Sequence, residues 1–543
     1  MNAPRIRLHA PDGRHDLAIA DEEAAMPLSA VLGREGYPLN TRCGERGLCG
    51  GCEIGLIEGS LRRMADGEPV HAGGAAHVKA CQVRLGAGDV ELAVPVRSLM
   101  SHEPSVVAEF RLNIPWGCDP LVPGARYGAA VDVGTTTIAL LLCNLATSAV
   151  IGAASAFNAQ IRFGEDVLTR IQRCSGDPDA LGRLQRAVAA ETIAPLLRDA
   201  CRQSGVAPGE VDAMSVAGNT TMLHLLAGVD PTPMGVHPFR PTFLEHRTLR
   251  PRDLGLEFGG AAARVHLLPG PAAYVGSDLA AGIVATGMLY DDGPVLLIDV
   301  GTNGEIIAKL GGRLVGCATA AGPAFEGAGL TSGTRAVKGA IERVRLRTEP
   351  FAADLGVIGG ADQPVGICGS AYIDFLCEAR RKGILQPSGR FDAAFCSREA
   401  DAVRADAHGR KLMLHARGAS GPIWISELDI ARLLQAKAAI AAGTSTLLQM
   451  LGVAPREVKR LYLAGGFGFY LSLEHAIGSG LFPGFAADQI QVVGNTSLGG
   501  AYLALNDRSL LDEMAAACRS MEPIELNLQP GFEDAYIDNL ILP

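Results

Sequence analysis

Apolar and polar positions alternate at the start of the chain. Ile6 and Leu8 are separated by basic residues, Pro11-Asp12-Gly13 offers a turn, and Leu17 and Ile19 resume the alternation. This period-two pattern predicts a β-hairpin. Pro27 to Leu32 then reads as a short helix ended by the glycines from Gly33 to Gly36, and runs at Glu53 to Ile57 and Val90 to Val94 predict further strands. The first unit, over 1–96, is therefore expected to be α+β.

The pattern is lost from Arg97 to Arg126, where Pro104, Pro115, Pro120 and Pro123 dominate. Such a stretch reads as a linker over 97–126, a semi-rigid spacer with few anchoring contacts that would leave the first unit mobile. Beyond it, strand-like runs recur before Gly/Thr turns: Gly128 to Val133, Ile138 to Cys143, Ala213 to Val216, Val295 to Val300, Ile306 to Lys309 and Leu461 to Leu463. Helical stretches, including Leu181 to Ser204 and Ser426 to Leu451, separate them, which predicts α/β layers. Two regions are expected, a middle one over 127–290 and a C-terminal one over 291–543.

At 543 residues the chain exceeds what one hydrophobic core organises. Lys and Arg number 48 against 58 Asp and Glu, and the net charge of -10 argues against nucleic acid as the main partner. No apolar run reaches the roughly 18 residues of a membrane span, and the N-terminus lacks a signal-peptide layout, so a cytoplasmic location without membrane contact is expected. Thirteen cysteines, an odd number in a long chain, oppose a secreted disulfide framework.

Four of those cysteines cluster. Cys43, Cys49 and Cys52 follow a Cys-x5-Cys-x2-Cys spacing, and 28 residues separate Cys52 from Cys81. Three thiolates from one tight loop and a fourth from a segment folding back over it can hold two bridged irons. The spacing is one residue longer than that of plant ferredoxins and resembles the adrenodoxin type of [2Fe–2S] protein. Gly44, Gly47, Gly50 and Gly51 would let the loop wrap and aim N–H groups at sulfur. A four-cysteine zinc site is the alternative, though it normally uses two Cys-x2-Cys pairs. His71 and His77 could suggest Rieske ligation, but with four cysteines present they read as surface histidines.

Asp132-Val133-Gly134-Thr135-Thr136-Thr137 and Asp299-Val300-Gly301-Thr302-Asn303-Gly304 are one device written twice, about 167 positions apart. Each places an acid at a strand end and then a glycine that lets N–H groups approach phosphate. Two such hairpins could enclose a polyphosphate while two carboxylates hold Mg²⁺ through its water shell. Leu463 to Gly468 would supply an adenosine pocket. Asn219 and Thr220 could line the cleft or form only a strand-to-helix turn. The helix from Ser426 begins with a capping serine, and its Lys437 is expected to be solvated rather than to reach nucleotide. Cys317, Cys368 and Cys377 lack ligand spacing and are expected to behave as small buried residues.

In order, Asp-Val-Gly-Thr-Thr-Thr, Ala-Gly-Asn-Thr-Thr-Met, Asp-Val-Gly-Thr-Asn-Gly-Glu, Gly-Pro-Ala-Phe-Glu-Gly, Gly-Ile-Cys-Gly-Ser and Ala-Gly-Gly-Phe-Gly resemble the actin-like (ASKHA) ATPases. Joined to the N-terminal cysteine loop, they resemble the reductive activators of corrinoid proteins over nearly the whole chain. The resemblance implies a β-grasp ferredoxin domain followed by a duplicated two-lobed ATPase. It implies that Asp132 and Asp299 position Mg²⁺, that Gly134, Thr135, Thr136, Gly301, Thr302, Asn303 and Gly304 contact phosphates, and that Gly465, Gly466 and Phe467 contact the nucleoside. Asp278 and Glu326 become candidates for orienting the attacking water, each weighed against a simple cap or turn role.

A plant-type [2Fe–2S] centre works near roughly -400 mV, and Co(II) cobamides are harder to reduce. An ATPase on the same chain suggests how such a transfer becomes productive. The expected partner is a corrinoid protein of a methyltransferase system, as in O-demethylation, with the upstream electron donor unnamed and a homodimer left open. Two alternatives stand beside this reading. One is an electron donor to another low-potential enzyme, like the activators of 2-hydroxyacyl-CoA dehydratases. The other is a kinase or binding module with a docking ferredoxin. No Gly-x-Gly-x-x-Gly follows a strand and opens a helix, which disfavours a flavin- or NAD-linked reductase.

Overall fold

The structure is a computed structural model. It describes the chain outside residues 1–4, 11–12, 21, 40, 42–44, 46, 48–50, 73–75, 87, 96–97, 100–108, 165, 302, 407–408 and 420. The expected N-terminal hairpin forms: strand Arg5–Ala10 pairs antiparallel with Gly13–Ala18, and its Ile6 and Leu8 are buried while Arg5 and Arg7 face out. The same strand pairs in parallel with Val90–Ala93, which continues to Glu53–Glu58 and Ala76–Lys79 in one five-stranded sheet. Helix Leu28–Arg34 lays Leu28, Val31 and Leu32 on that sheet against Ile6, Leu8, Ile54 and Leu92. Cys52 and Cys81 belong to this core, and His71 and His77 are exposed, as their sequence setting suggests.

Two six-stranded sheets follow, and their topologies repeat. In the first, an antiparallel hairpin of Tyr127–Val133 and Thr137–Asn144 carries Ala149–Phe157 on one side and the parallel strands Val211–Gly218 and Arg264–Leu267 on the other. The second matches it with Val295–Val300, Gly304–Leu310, Arg313–Thr319, Arg460–Ala464 and Ile490–Gly494. Both orders are therefore third, second, first, fourth, fifth. The near-continuous apolar character of the central strands reflects burial on both faces.

After the fifth strand of each sheet comes a helix that runs between the sheets, Ser277–Thr286 from the first and Thr496–Asn506 from the second. Small residues let them cross closely: a Cβ on Gly500 would lie 2.3 Å from the Ala281 carbonyl oxygen. Leu498, Ala501 and Leu505, near the C-terminus, are consequently buried with Ala130, Leu141 and Ala213 of the first sheet.

The segment expected to be a spacer with few anchors is strapped down in its second half. Arg111 N–H donates to Val493 O at 3.0 Å, Asn113 N–H to Ala285 O at 3.2 Å, Asp119 N–H to Asn506 O at 3.1 Å and Leu121 N–H to Leu505 O at 3.0 Å. Proline frequency reveals extension but not whether the donors of an extended chain find acceptors. Helix Glu427–Leu451 starts as expected, with Ser426 and Asp429 exchanging capping hydrogen bonds. Its Lys437 corrects the expectation of a solvated side chain. The residue is 1 % exposed, donates to Ile541 O at 2.7 Å, and burial pulls its pKa down to about 8. Cys317, Cys368 and Cys377 are buried. Among the described residues no helix is long and apolar enough to cross a membrane.

Candidate active site

The repeated hairpins put Asp132 and Asp299 at equivalent places. Asp132 lies beside Ala217 on the neighbouring parallel strand, and Asp299 beside Ala464. Each neighbouring strand ends at once in a helix, beginning at Thr220 and Gly466 respectively. Gly465, at φ +91°, shows how tightly: a Cβ there would lie 2.7 Å from both Asp299 Oδ1 and the Val300 carbonyl oxygen.

Between the hairpins is an open cleft with a cavity volume of about 270 Å³. Its wall brings together Asp132, Gly134, Thr135, Thr136, Asn219, Asp278, Asp299, Gly301, Asn303, Glu326, Gly465, Gly466 and Phe467, all selected from the sequence. Phe467 stacks on Phe325 with ring centroids 5.0 Å apart. Gly304 is not part of the wall. It packs behind the loop, where a Cβ would meet Thr319 Oγ1 at 2.7 Å and Ile440 at 2.9 Å. Thr302 lies outside the described residues.

Asn219 fulfils both of its expected readings. Its Oδ1 caps helix Thr220–Ala227 by accepting from Met222 N–H at 3.0 Å, while Nδ2 donates to Thr135 Oγ1 at 2.9 Å across the cleft wall. Asp278 occupies the first turn of helix Ser277–Thr286, and Arg335 Nε approaches Glu326 Oε2 at 3.9 Å.

Asn495 and Ser497 hold Asp132 and were missed in the sequence. Asn495 Nδ2 donates to Asp132 Oδ2 at 2.9 Å and Ser497 Oγ to Asp132 Oδ1 at 2.7 Å. A signal existed: Gly-Asn-Thr at 494–496 repeats Gly-Asn-Thr at 218–220, and both asparagines cap a helix at a strand end. Asn495 also ties the cleft to the strap, since its N–H donates to Glu109 O at 3.1 Å.

Five carboxyl groups line this site, those of Asp132, Asp278, Asp299, Glu305 and Glu326. Burial raises the pKa of Asp132 against the lowering effect of its Ser497 and Asn495 hydrogen bonds. Asp278 is pushed up to about 7 by burial and by the Asp132 charge, and Asp299 to about 7 by burial and by the charges of Asp278 and Asp132. Glu305 rises as well, through burial and then Asp278 and Asp299. Mutually repelling buried acids fit a divalent cation that would neutralise them. Among the described residues no three acidic, histidine or cysteine side chains converge to ligate an ion directly.

In the N-terminal domain, Cys43 and Cys49 lie outside the described residues. Cys52 and Cys81 come together, Ala80 N–H donating to Cys52 O at 3.0 Å to join their segments. The Cys81 pKa falls to about 6, chiefly through its hydrogen bond with the Cys52 thiol, with Gln82 and the Gly47 N–H helping against burial. Gln82 Nε2 lies 3.5 Å from Cys81 Sγ and also donates to Glu45 O at 2.6 Å. Gly47 has φ +69°, and a Cβ on it would strike the Gln82 side chain at 2.8 Å. Paired thiols receiving N–H donors fit thiolate ligands of an iron–sulfur group.

Comparison with known proteins places both halves of the cleft. The family described as the RACo middle region matches residues 127–291, and the one described as the C-terminal domain of RACo, the ASKHA domain, matches residues 293–543. The corrinoid activation enzyme RamQ of Eubacterium limosum is 30% identical over 422 residues, covering 76% of this chain and 70% of that protein. A Methanosarcina barkeri protein named [Co(II) methylated amine-specific corrinoid protein] reductase is 28% identical over 288 residues, 49% of each chain. Among solved structures, a reductive activator for a corrinoid, iron–sulfur protein superposes with a TM-score of 0.71 at 29% identity, covering 99% of this chain and 98% of the other.

Proposed function

The chain belongs to the family of reductive activators of corrinoid proteins, and from that premise we propose that it uses ATP to return a corrinoid protein from inactive Co(II) to Co(I), ready for methyl transfer. One electron is delivered for each cobalt reduced, and ATP and water yield ADP and phosphate. The electron enters from a low-potential donor upstream. A [2Fe–2S] cluster, when held by Cys43, Cys49, Cys52 and Cys81, supplies the one-electron carrier.

In the cleft, Asp132 and Asp299 hold the water shell of Mg²⁺, whose charge offsets that of the phosphates. Gly134, Thr135 and Thr136 on one side and Gly301, Thr302 and Asn303 on the other enclose the polyphosphate. Gly465, Gly466 and Phe467 receive the nucleoside, and Asp278 and Glu326 orient the attacking water. Asn495, bonded to Asp132 by its side chain and to Glu109 by its backbone, links nucleotide state to the strap that leads to the electron-carrying domain.

The observation that carries this reading is the presence in one chain of the Cys52 and Cys81 thiol pair and the carboxylate-lined cleft. It is tested by anaerobic incubation of the iron-loaded protein with a cognate corrinoid protein, reductant and ATP. Disappearance of the Co(II) EPR signal is expected; a signal that persists overturns the function.

A further inference from the structure

Behind the first phosphate loop lies a buried guanidinium that the roles above leave unused. Asp166 caps helix Val167–Gly176, accepting from Thr169 N–H at 2.7 Å, and one turn on Arg170 is 0 % exposed. Its Nε donates to Gly164 O at 3.0 Å, Nη1 to Gln160 Oε1 at 2.9 Å and toward Met222 Sδ at 3.0 Å, and Nη2 to Thr135 O at 2.5 Å. None of these four partners carries a charge. Burial draws the Arg170 pKa down to about 9, so the group still enters the core as a cation at neutral pH. A buried cation held by neutral acceptors destabilises a fold unless its hydrogen bonds are well made.

Asn158, equally buried, provides a second brace. Its Nδ2 donates to Gly134 O at 2.9 Å and its backbone N–H to Thr136 O at 2.9 Å. Gln160 connects the two, because its Oε1 also lies 3.3 Å from Asn158 Nδ2. In a planar trans peptide the C=O and the following N–H point in opposite directions. Carbonyls of Gly134 and Thr135 pinned rearward therefore turn the N–H groups of Thr135 and Thr136 to the other side, where both residues line the cleft.

We infer that Arg170, together with Asn158, is a positioning residue for nucleotide phosphate, fixing the first hairpin as a preformed anion-binding nest with a positive charge behind it. Arg170 touches no substrate; it acts through the peptide units of the loop. The inference rests on the ATP reading of the cleft and deepens it.

The test compares ATP with adenosine. A residue that orders the phosphate loop should matter only for the ligand that carries phosphates, whereas general damage to the lobe weakens both. By calorimetry with Mg²⁺, Arg170→Met should bind ATP about 10- to 100-fold more weakly while adenosine stays within about twofold. Arg170→Lys keeps the charge without the planar fork and should fall between the two proteins. Unchanged ATP affinity in Arg170→Met, or equal weakening of both ligands, overturns the brace. Should that variant fail to fold, Asn158→Ser, which removes the amide bond to Gly134 O together with the amide contacts to Gln160 and Met222, is judged by the same ratio. A wild-type protein that binds no ATP overturns the nucleotide reading itself, which keeps the two failures distinct.

Discussion

The two Asp-x-Gly-Thr hairpins share a front and differ at the back. Both present an aspartate at a strand end and a glycine turn to one cleft. Behind the first lies a polar network of Arg170, Asn158 and Gln160. Behind the second, Thr319 Oγ1 donates to Gly304 O at 2.9 Å, and Gly304 and Gly443 pack against Ile440, Ile306 and Thr319. The repeat thus keeps the surface that faces the cleft and leaves each copy to be supported by whatever its lobe provides. One loop is oriented by hydrogen bonds, the other by close packing.

The shared front predicts the largest effects. Asp132→Asn and Asp299→Asn should each lower steady-state ATP hydrolysis about 100-fold or more, since each removes a preorganised charge from the phosphate site. A large loss in only one of them would show that the hairpins are not equivalent even where their sequences agree.

The different backs predict a split between stability and affinity. Ile440→Ala deletes packing behind the second hairpin and should destabilise the protein by about 2–4 kcal/mol in denaturant unfolding. ATP affinity should change by less than about threefold. A drop in ATP affinity as large as that expected for Arg170→Met would erase the distinction.

The smallest effect concerns pH. His475 Nδ1 lies 2.6 Å from Asp374 Oδ1 in the second half of the molecule, and that hydrogen bond raises the His475 pKa above 6.5. The stability this pair supplies is complete below about pH 6.5 and fades as pH rises through the higher folded value. Asp278, Asp299 and Lys437 titrate in the same window, so the His475 share is read by difference: between pH 6 and 8.5 the melting temperature of the wild-type chain should fall modestly more than that of Asp374→Asn. An unchanged slope in the variant would remove the histidine from the account.

Much of the fold was legible because periodicity and turns are local. The strands carrying Asp132 and Asp299, the hairpin of Ile6 and Leu8 and the Ser426 cap all follow from residues close in sequence. The repeated motif even announced the duplicated topology. What escaped depends on distant partners. Lys437 finds the Ile541 carbonyl over a hundred residues away, Arg111 finds an acceptor on strand Ile490–Gly494 and Asn113, Asp119 and Leu121 find theirs on the interlobe helices, and Arg170 gives no sign in sequence that Thr135 O lies behind it. Asn495 and Ser497 were within reach through the repeated Gly-Asn-Thr, but only register shows that they hold Asp132.

The central claim is that the cleft at Asp132 drives electron delivery from the cysteine-bearing domain. It is tested most directly by following the Co(II) EPR signal of a corrinoid protein mixed anaerobically with reductant and either the wild-type chain or Asp132→Asn, matched for iron content. The account predicts that the signal disappears only with the wild-type chain and only when ATP is present. Equal loss without ATP, or with Asp132→Asn, would contradict it.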